Sequence, residues 1–191
     1  MGGSHMIRHP WVATRADSLL LVIDFQQGML KAIPDWEEVE VRAGQLLRAA
    51  RILDIPLLVT EQYPKGLGQT QASLLEIMAN PHVFPKEHFS ACLEPDFLPT
   101  VQSYAKKTIV VTGTETHVCV LQTCLDLIQA GFQVHVAADA VASRVRLNRE
   151  LALQQLGQAG AVITSAEIVI FEWACRANTG DFRRILPVVK M

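Results

Sequence analysis

The chain has 191 residues, a formal charge of −2, half of its residues apolar and a mean hydropathy of +0.22. Those values suit one compact soluble domain, able to bury about 70% of the surface its unfolded chain exposes. The near-neutral charge and the lack of a basic stripe argue against a nucleic-acid partner. No apolar run approaches the roughly 18 residues needed to cross a bilayer, so no membrane partner is expected.

Residues 1–6 (Met1-Gly2-Gly3-Ser4-His5-Met6) read as an expression-tag remnant, which leaves 7–191 as one domain. The first apolar run, Leu19-Leu20-Leu21-Val22-Ile23, stops at Asp24. Glu38 to Leu53 follows with apolar residues on one helical face. Pro56-Leu57-Leu58-Val59-Thr60 is a second run and stops at Glu61. Pro64 to Glu94 is punctuated by prolines and glycines and holds one short extended piece, His82-Val83-Phe84-Pro85-Lys86. Ile109-Val110-Val111-Thr112 then leads through Gly113 into a helix from His117 to Ala130. Val134 to Ala138 stops at Asp139, a helix over Asn148–Ala159 follows, and Ala161 to Thr164 closes the series.

Short runs rich in branched side chains and apolar on both faces are the mark of strands in a parallel sheet covered by helices. The alternation predicts a single-domain α/β fold, doubly wound and Rossmann-like, with a mostly parallel sheet of about six strands and helices on both faces. Ligands of such sheets bind outside the carboxyl ends of the strands, where Asp24, Glu61, Gly113 and Asp139 are expected to gather. A nucleotide-binding reading has no support, because Asp24-Phe25-Gln26-Gln27-Gly28 follows the first strand in place of a Gly-x-Gly-x-x-Gly turn.

Cys119 falls in the first turn of a helix that starts after a strand and a glycine, where free N–H groups and the helix dipole favour a thiolate. Asp24 after the first strand and Lys86 after the short extended piece are its candidate partners. A carboxylate can accept the thiol proton and return it to a leaving group, and a lysine can hold the carboxylate charge. Cys92, Cys124 and Cys175 show no CxxC pairing, so reduced thiols and a cytoplasmic location are expected. No metal-ligand set is defensible for His82 or His88.

These residues carry a resemblance to the isochorismatase-like cysteine hydrolase superfamily, which includes nicotinamidases and N-carbamoylsarcosine amidases. The matching pieces are Leu21-Val22-Ile23-Asp24-Phe25-Gln26, Lys86 with Phe89-Ser90, and Gly113-x-x-Thr116-x-x-Cys119-Val120. Asp139-Ala140 and Ser165-Ala166-Glu167 resemble two further landmarks, so the likeness runs from about Leu19 to Phe171. It implies a catalytic triad of Asp24 as general base, Lys86 as charge partner and Cys119 as nucleophile. It also implies a cis peptide at Thr114–Glu115 and an oxyanion hole from the N–H groups of Glu115 and Cys119.

Thr60-Glu61-Gln62-Tyr63-Pro64-Lys65-Gly66-Leu67-Gly68 points to the branch of isochorismatase domain-containing proteins. Nicotinamidases carry Asp-x-His where Glu61-Gln62-Tyr63 stands here, and no histidine lies between His9 and His82, so no metal is expected. Phe25, Gln26, Glu61, Tyr63 and Thr116 are the substrate-contact candidates. Glu61 is read either as a partner for a substrate cation or as a structural hydrogen-bonding group.

The expected activity is cofactor-independent hydrolysis of a small amide, carbamoyl or related C–N substrate through a Cys119 thioester. The rival is a catalytically silent interaction protein that retains the triad. The resemblance further implies a homo-oligomer, a dimer or higher.

Overall fold

The computed structural model describes residues 8–191, so the tag remnant at 1–6 lies outside the described residues. In chain order the strands and helices are β1 (Ser18–Ile23), α1 (Gln27–Leu30), α2 (Trp36–Ile52), β2 (Leu57–Gln62), α3 (Pro64–Leu67), α4 (Ala72–Met78) and β3 (His82–Lys86). They continue with α5 (Phe97–Ser103), β4 (Thr108–Thr114), α6 (Leu121–Gln129), β5 (Gln133–Ala142), α7 (Arg146–Gln158), β6 (Val162–Thr164), α8 (Ala166–Ala174) and α9 (Gly180–Val189). The six strands form one sheet in the order β3-β2-β1-β4-β5-β6, and every neighbouring pair is parallel.

The alternation of side chains along each strand divides the core in two. Leu20, Val22, Val59, Val110 and Ala137 face α2, α4, α8 and α9, whereas Leu19, Leu21, Ile23, Leu58, Ile109 and Val111 face α5, α6 and α7. Both faces of the central strands are therefore dry, which is why they read as unbroken apolar runs. Trp173 from α8 is fully buried on the first face, and its indole N–H donates to Ser18 Oγ at 3.0 Å.

Two boundaries depart from the sequence reading. β5 runs on to Ala142, so Asp139 lies inside the strand and not at its end. The register slips from Val111 beside Val136 to Gly113 beside Val141, so β5 bulges over this stretch. Asp139 Oδ1 accepts the N–H of Ala166 at 2.8 Å and so ties the bulge to the start of α8. The cysteine-bearing segment begins as a π-type turn, Thr116–Val120, before α6 starts at Leu121.

β1 has β2 on one side and β4 on the other, which places a topological switch point beside its carboxyl end. Close approach of these two strands needs Gly113. Its φ is +149°, and a Cβ there would run into the carbonyl oxygen of Ile23. Gly160 also has positive φ, +102°, but open space around it. Gly113→Ala is therefore expected to lower unfolding free energy by about 3 kcal/mol or more, and Gly160→Ala by about 1 kcal/mol. Denaturant unfolding checks this, and equal losses for the two variants would remove the close-approach explanation.

Candidate active site

Parallel pairing brings three strand ends side by side. Gln62, the last residue of β2, is in register with Lys86, the last residue of β3, and Ile23 is in register with Thr60 on one side and Gly113 on the other. Asp24 follows Ile23 directly and adopts a left-handed backbone with φ 51°. Its N–H donates to Thr60 O at 3.1 Å, and its carbonyl accepts Thr114 Oγ1–H at 2.7 Å and the N–H of Gln26 at 2.8 Å. The backbone at Asp24 is thus held by both neighbouring strands, β2 and β4, and by its own turn.

The Asp24 side chain is sealed from water, as is that of Lys86, and Oδ2 lies 2.8 Å from Lys86 Nζ. Oδ1 accepts the Thr60 hydroxyl at 2.6 Å. Lys86 Nζ also donates to Gln62 Oε1 at 2.5 Å and to the carbonyls of His88 and Phe89, each at 3.2 Å. The loop carrying those carbonyls is pinned by Glu94. One oxygen of its carboxylate accepts the N–H groups of Glu87 and His88 and lies 2.9 Å from His88 Nδ1. Those bonds, the His88 N–H first, bring the Glu94 carboxyl down to about 2.

Cys119 is buried and completes the cluster, with Sγ 3.9 Å from Gln62 Oε1. Burial is the main reason its thiol is pushed up to about 12, and the Asp24 carboxylate adds to the rise through charge and hydrogen-bonding contact. The Lys86 ammonium acts in the opposite direction. The balance favours the protonated thiol over the thiolate expected from a helix start alone. The Thr114–Glu115 peptide is cis, and it directly precedes the turn that carries Cys119.

The remaining sequence-selected residues fall into distinct environments. Phe25 is fully buried in the α2 layer and meets Trp36 edge-on with ring centroids 5.2 Å apart. The Gln26 amide clasps the backbone of Gln62, accepting its N–H at 2.7 Å and donating to its carbonyl at 2.9 Å and to Gly68 O at 2.7 Å. Glu61 Oε1 accepts both the N–H and the hydroxyl of Thr70, at 2.7 and 2.8 Å, which is the structural alternative. Tyr63 is half exposed next to Gln62. Thr116 is fully buried, and its hydroxyl has no hydrogen-bond partner.

His117 Nδ1 lies 3.0 Å from Ser143 Oγ, and the Glu115 carboxylate accepts the N–H of Arg144 at 2.9 Å, so both are engaged by the loop after β5. Sequence reasoning passed over Gln62. The signal available was alternation: Glu61 and Gln62 point to opposite faces, and only one of them can meet Lys86 across the β2–β3 pair.

A metal does not fit this place. Among the described residues no group of three or more His, Cys, Asp or Glu side chains is arranged to hold an ion. Gln62 and Pro64 follow Glu61 and Tyr63 here, and Gln62 spends its amide oxygen on Lys86.

Residues 18–168 match the isochorismatase domain. Isochorismatase domain-containing protein 1 of Danio rerio is 36% identical over 176 residues, covering 92% of this chain and 62% of that protein. The chain thus spans less than two thirds of that relative. Among solved structures, the MAR1 ribonuclease of Caenorhabditis elegans superposes with a TM-score of 0.88 at 38% identity, covering 94% of this chain and 92% of that one. YcaC of Pseudomonas aeruginosa, solved with hexane-2,5-diol and covalent acrylamide, gives 0.85 at 26% identity over 92% and 90% of the two chains. With its six-stranded parallel sheet and a domain match that runs from β1 into α8, the chain belongs to the isochorismatase family.

Proposed function

We propose that the protein is a cofactor-independent cysteine hydrolase acting on a small amide, carbamoyl or related C–N substrate. The observation that carries this reading is a single one: a buried thiol set against a water-free Asp24–Lys86 ion pair at the switch point of the sheet. A neutral thiol is a poor nucleophile until its proton has somewhere to go. Asp24 supplies that place within the same cluster.

In the proposed cycle Asp24 takes the Cys119 proton as Sγ attacks the carbonyl carbon, and the C–O π electrons move to oxygen. The N–H groups of Glu115 and Cys119 hold that oxyanion. Collapse of the intermediate breaks the C–N bond while protonated Asp24 gives its proton to the departing amine, leaving a thioester. Asp24 then removes a proton from water, hydroxide attacks the thioester, and the acid leaves as Cys119 recovers its proton. Lys86 keeps the carboxylate charge balanced when the thiol is neutral and offsets the sulfur charge during transfer. Covalent acrylamide in the Pseudomonas aeruginosa relative supports only the nucleophile in this reading, since thiols add to the C=C bond of acrylamide and leave its amide intact.

The relative from Caenorhabditis elegans carries the name ribonuclease. Here the formal charge is −2, and RNA binding draws most of its affinity from lysine and arginine contacts to phosphate. Small neutral substrates suit this chain better. Val145, Leu147 and Leu151 around the start of α7, with Ile168 and Phe171 on α8, are exposed apolar residues and support a homo-oligomer. No helix among the described residues is long and apolar enough to cross a membrane, and the four free cysteines suit a reducing, cytoplasmic setting.

Cys119→Ala is expected to reduce ammonia release from a panel of small amides and ureides by about 10³-fold or more while the unfolding midpoint stays close to the parent. Full turnover in that variant would end the thioester scheme. Asp24→Asn should move two readouts in opposite directions. Removing the charge that raises the thiol lets iodoacetamide label Cys119 about ten-fold faster at pH 8, while hydrolysis collapses because no base remains. A parallel fall in both would show that Asp24 acts only through the fold.

Of the substrate-contact candidates, Thr116 is the one we assign to a direct contact, through its unpartnered buried hydroxyl. Thr116→Val should leave stability unchanged or slightly raised and increase KM about ten-fold. A drop in stability with unchanged KM would give the hydroxyl a structural role.

A further inference from the structure

Gln62 has no part in the cycle above, yet it touches two members of the cluster, Lys86 and Cys119. Its carboxamide is fixed in one orientation by chemistry. Nε2 donates to the carbonyl of Glu87 at 2.6 Å, so Oε1 is turned toward Lys86 Nζ at 2.5 Å and Cys119 Sγ at 3.9 Å. The flipped amide would set an NH₂ against the ammonium and an oxygen against the Glu87 carbonyl, two repulsive contacts in a site closed to water. The backbone of Gln62 is clasped on both its N–H and its carbonyl by Gln26, and its residue is in register with Lys86 across the β2–β3 pair.

Lys86 Nζ has three hydrogens and four acceptors within reach: Asp24, Gln62, His88 O and Phe89 O. Three of the four are held by strands or by a pinned loop at its far side. Gln62 Oε1 is the uncharged acceptor that also neighbours the thiol, and it is the shortest of Lys86's contacts. Without it, the remaining partners draw the ammonium toward the carboxylate and the loop.

We propose that Gln62 is a positioning residue, whose amide oxygen holds the Lys86 ammonium in the gap between Asp24 and Cys119 and thereby sets how readily the thiol loses its proton. The inference rests on the hydrolase reading for its purpose, but it concerns a property of Cys119 that is measurable without turnover. Two variants test it. Gln62→Met keeps the length of the side chain and removes both amide hydrogen bonds, so the positive charge shifts away from sulfur. Gln62→Glu keeps the shape but adds a negative charge beside the thiol. Both changes disfavour thiolate, so both move the thiol in the same direction, upward.

The measurement is the rate of Cys119 alkylation by iodoacetamide between pH 6 and pH 10, read peptide by peptide so that Cys92, Cys124 and Cys175 are followed separately. Below the thiol's midpoint the rate follows the thiolate fraction, so an upward shift of one pH unit appears as an about ten-fold slower reaction at pH 8. Each variant is expected to show at least that slowing at an unfolding midpoint near the parent's, whereas Asp24→Asn is faster. Rates within two-fold of the parent in a folded variant overturn the inference. If Gln62→Met does not fold, Gln62→Glu decides by the same criterion, and failure of both to fold assigns Gln62 to the fold and overturns it as well. An intact Gln62 effect with no hydrolysis of any amide would instead remove the proposed reaction and leave the positioning role standing.

Discussion

An ion pair with both side chains shut off from water sets the terms for this whole site. Moving a carboxylate and an ammonium out of water is unfavourable by several kcal/mol each, and their mutual attraction offsets this only if the leftover lone pairs and protons are satisfied. Asp24 and Lys86 meet that condition through a threonine hydroxyl, a carboxamide and two loop carbonyls. The loop is itself restrained from outside by Glu94. Three parallel strands ending at the same level make the arrangement possible: β3 contributes Lys86, β2 contributes Thr60 and Gln62, and Asp24 follows β1 directly. Site and sheet edge are therefore one structure.

Much of this was legible in the sequence, and the parts that were not share a physical cause. β1, β2 and β4 announce themselves because strands buried on two faces need no polar alternation, whereas the edge strand β6 reads as apolar although Ile163 is exposed. β5 reads short because Asp139 interrupts it, and only the bulge explains how an acid sits inside a strand. Helices α4 and α5 have seven residues each, too few for a period of 3.6 to stand out among prolines and glycines. α8 is missed for a different reason: Ile168 and Phe171 remain exposed on the side where polar residues would mark a surface helix. The joint spacing of Asp24, Lys86 and Cys119 was readable, but the choice between Glu61 and Gln62 depended on strand parity, which a one-residue shift reverses.

The electrostatics refine the chemistry that the motif alone suggests. A cysteine at a helix start invites the expectation of a standing thiolate. Burial and a neighbouring carboxylate instead favour the protonated sulfur at rest, which delays nucleophilicity until an acceptor geometry is completed. The family relationship fixes the architecture and leaves the ligand open. Among the buried polar groups without a hydrogen-bond partner, Thr116 lies nearest to Cys119 in sequence.

The left-handed backbone at Asp24 has an evolutionary consequence. Few side chains tolerate φ near +51°; aspartate and asparagine do so several times more often than most, and glycine freely. The position is therefore filtered twice, once by the need for a carboxylate against the buried Lys86 ammonium and once by main-chain sterics. Glutamate passes the first filter and strains against the second, so drift to the longer acid is closed even though the functional group is the same. The accessible exits are asparagine and glycine, which retain the turn and abandon the base. Either exit leaves the buried Lys86 ammonium without its carboxylate, so a lineage that drops the acid is expected to replace Lys86 as well, and the two positions should change together.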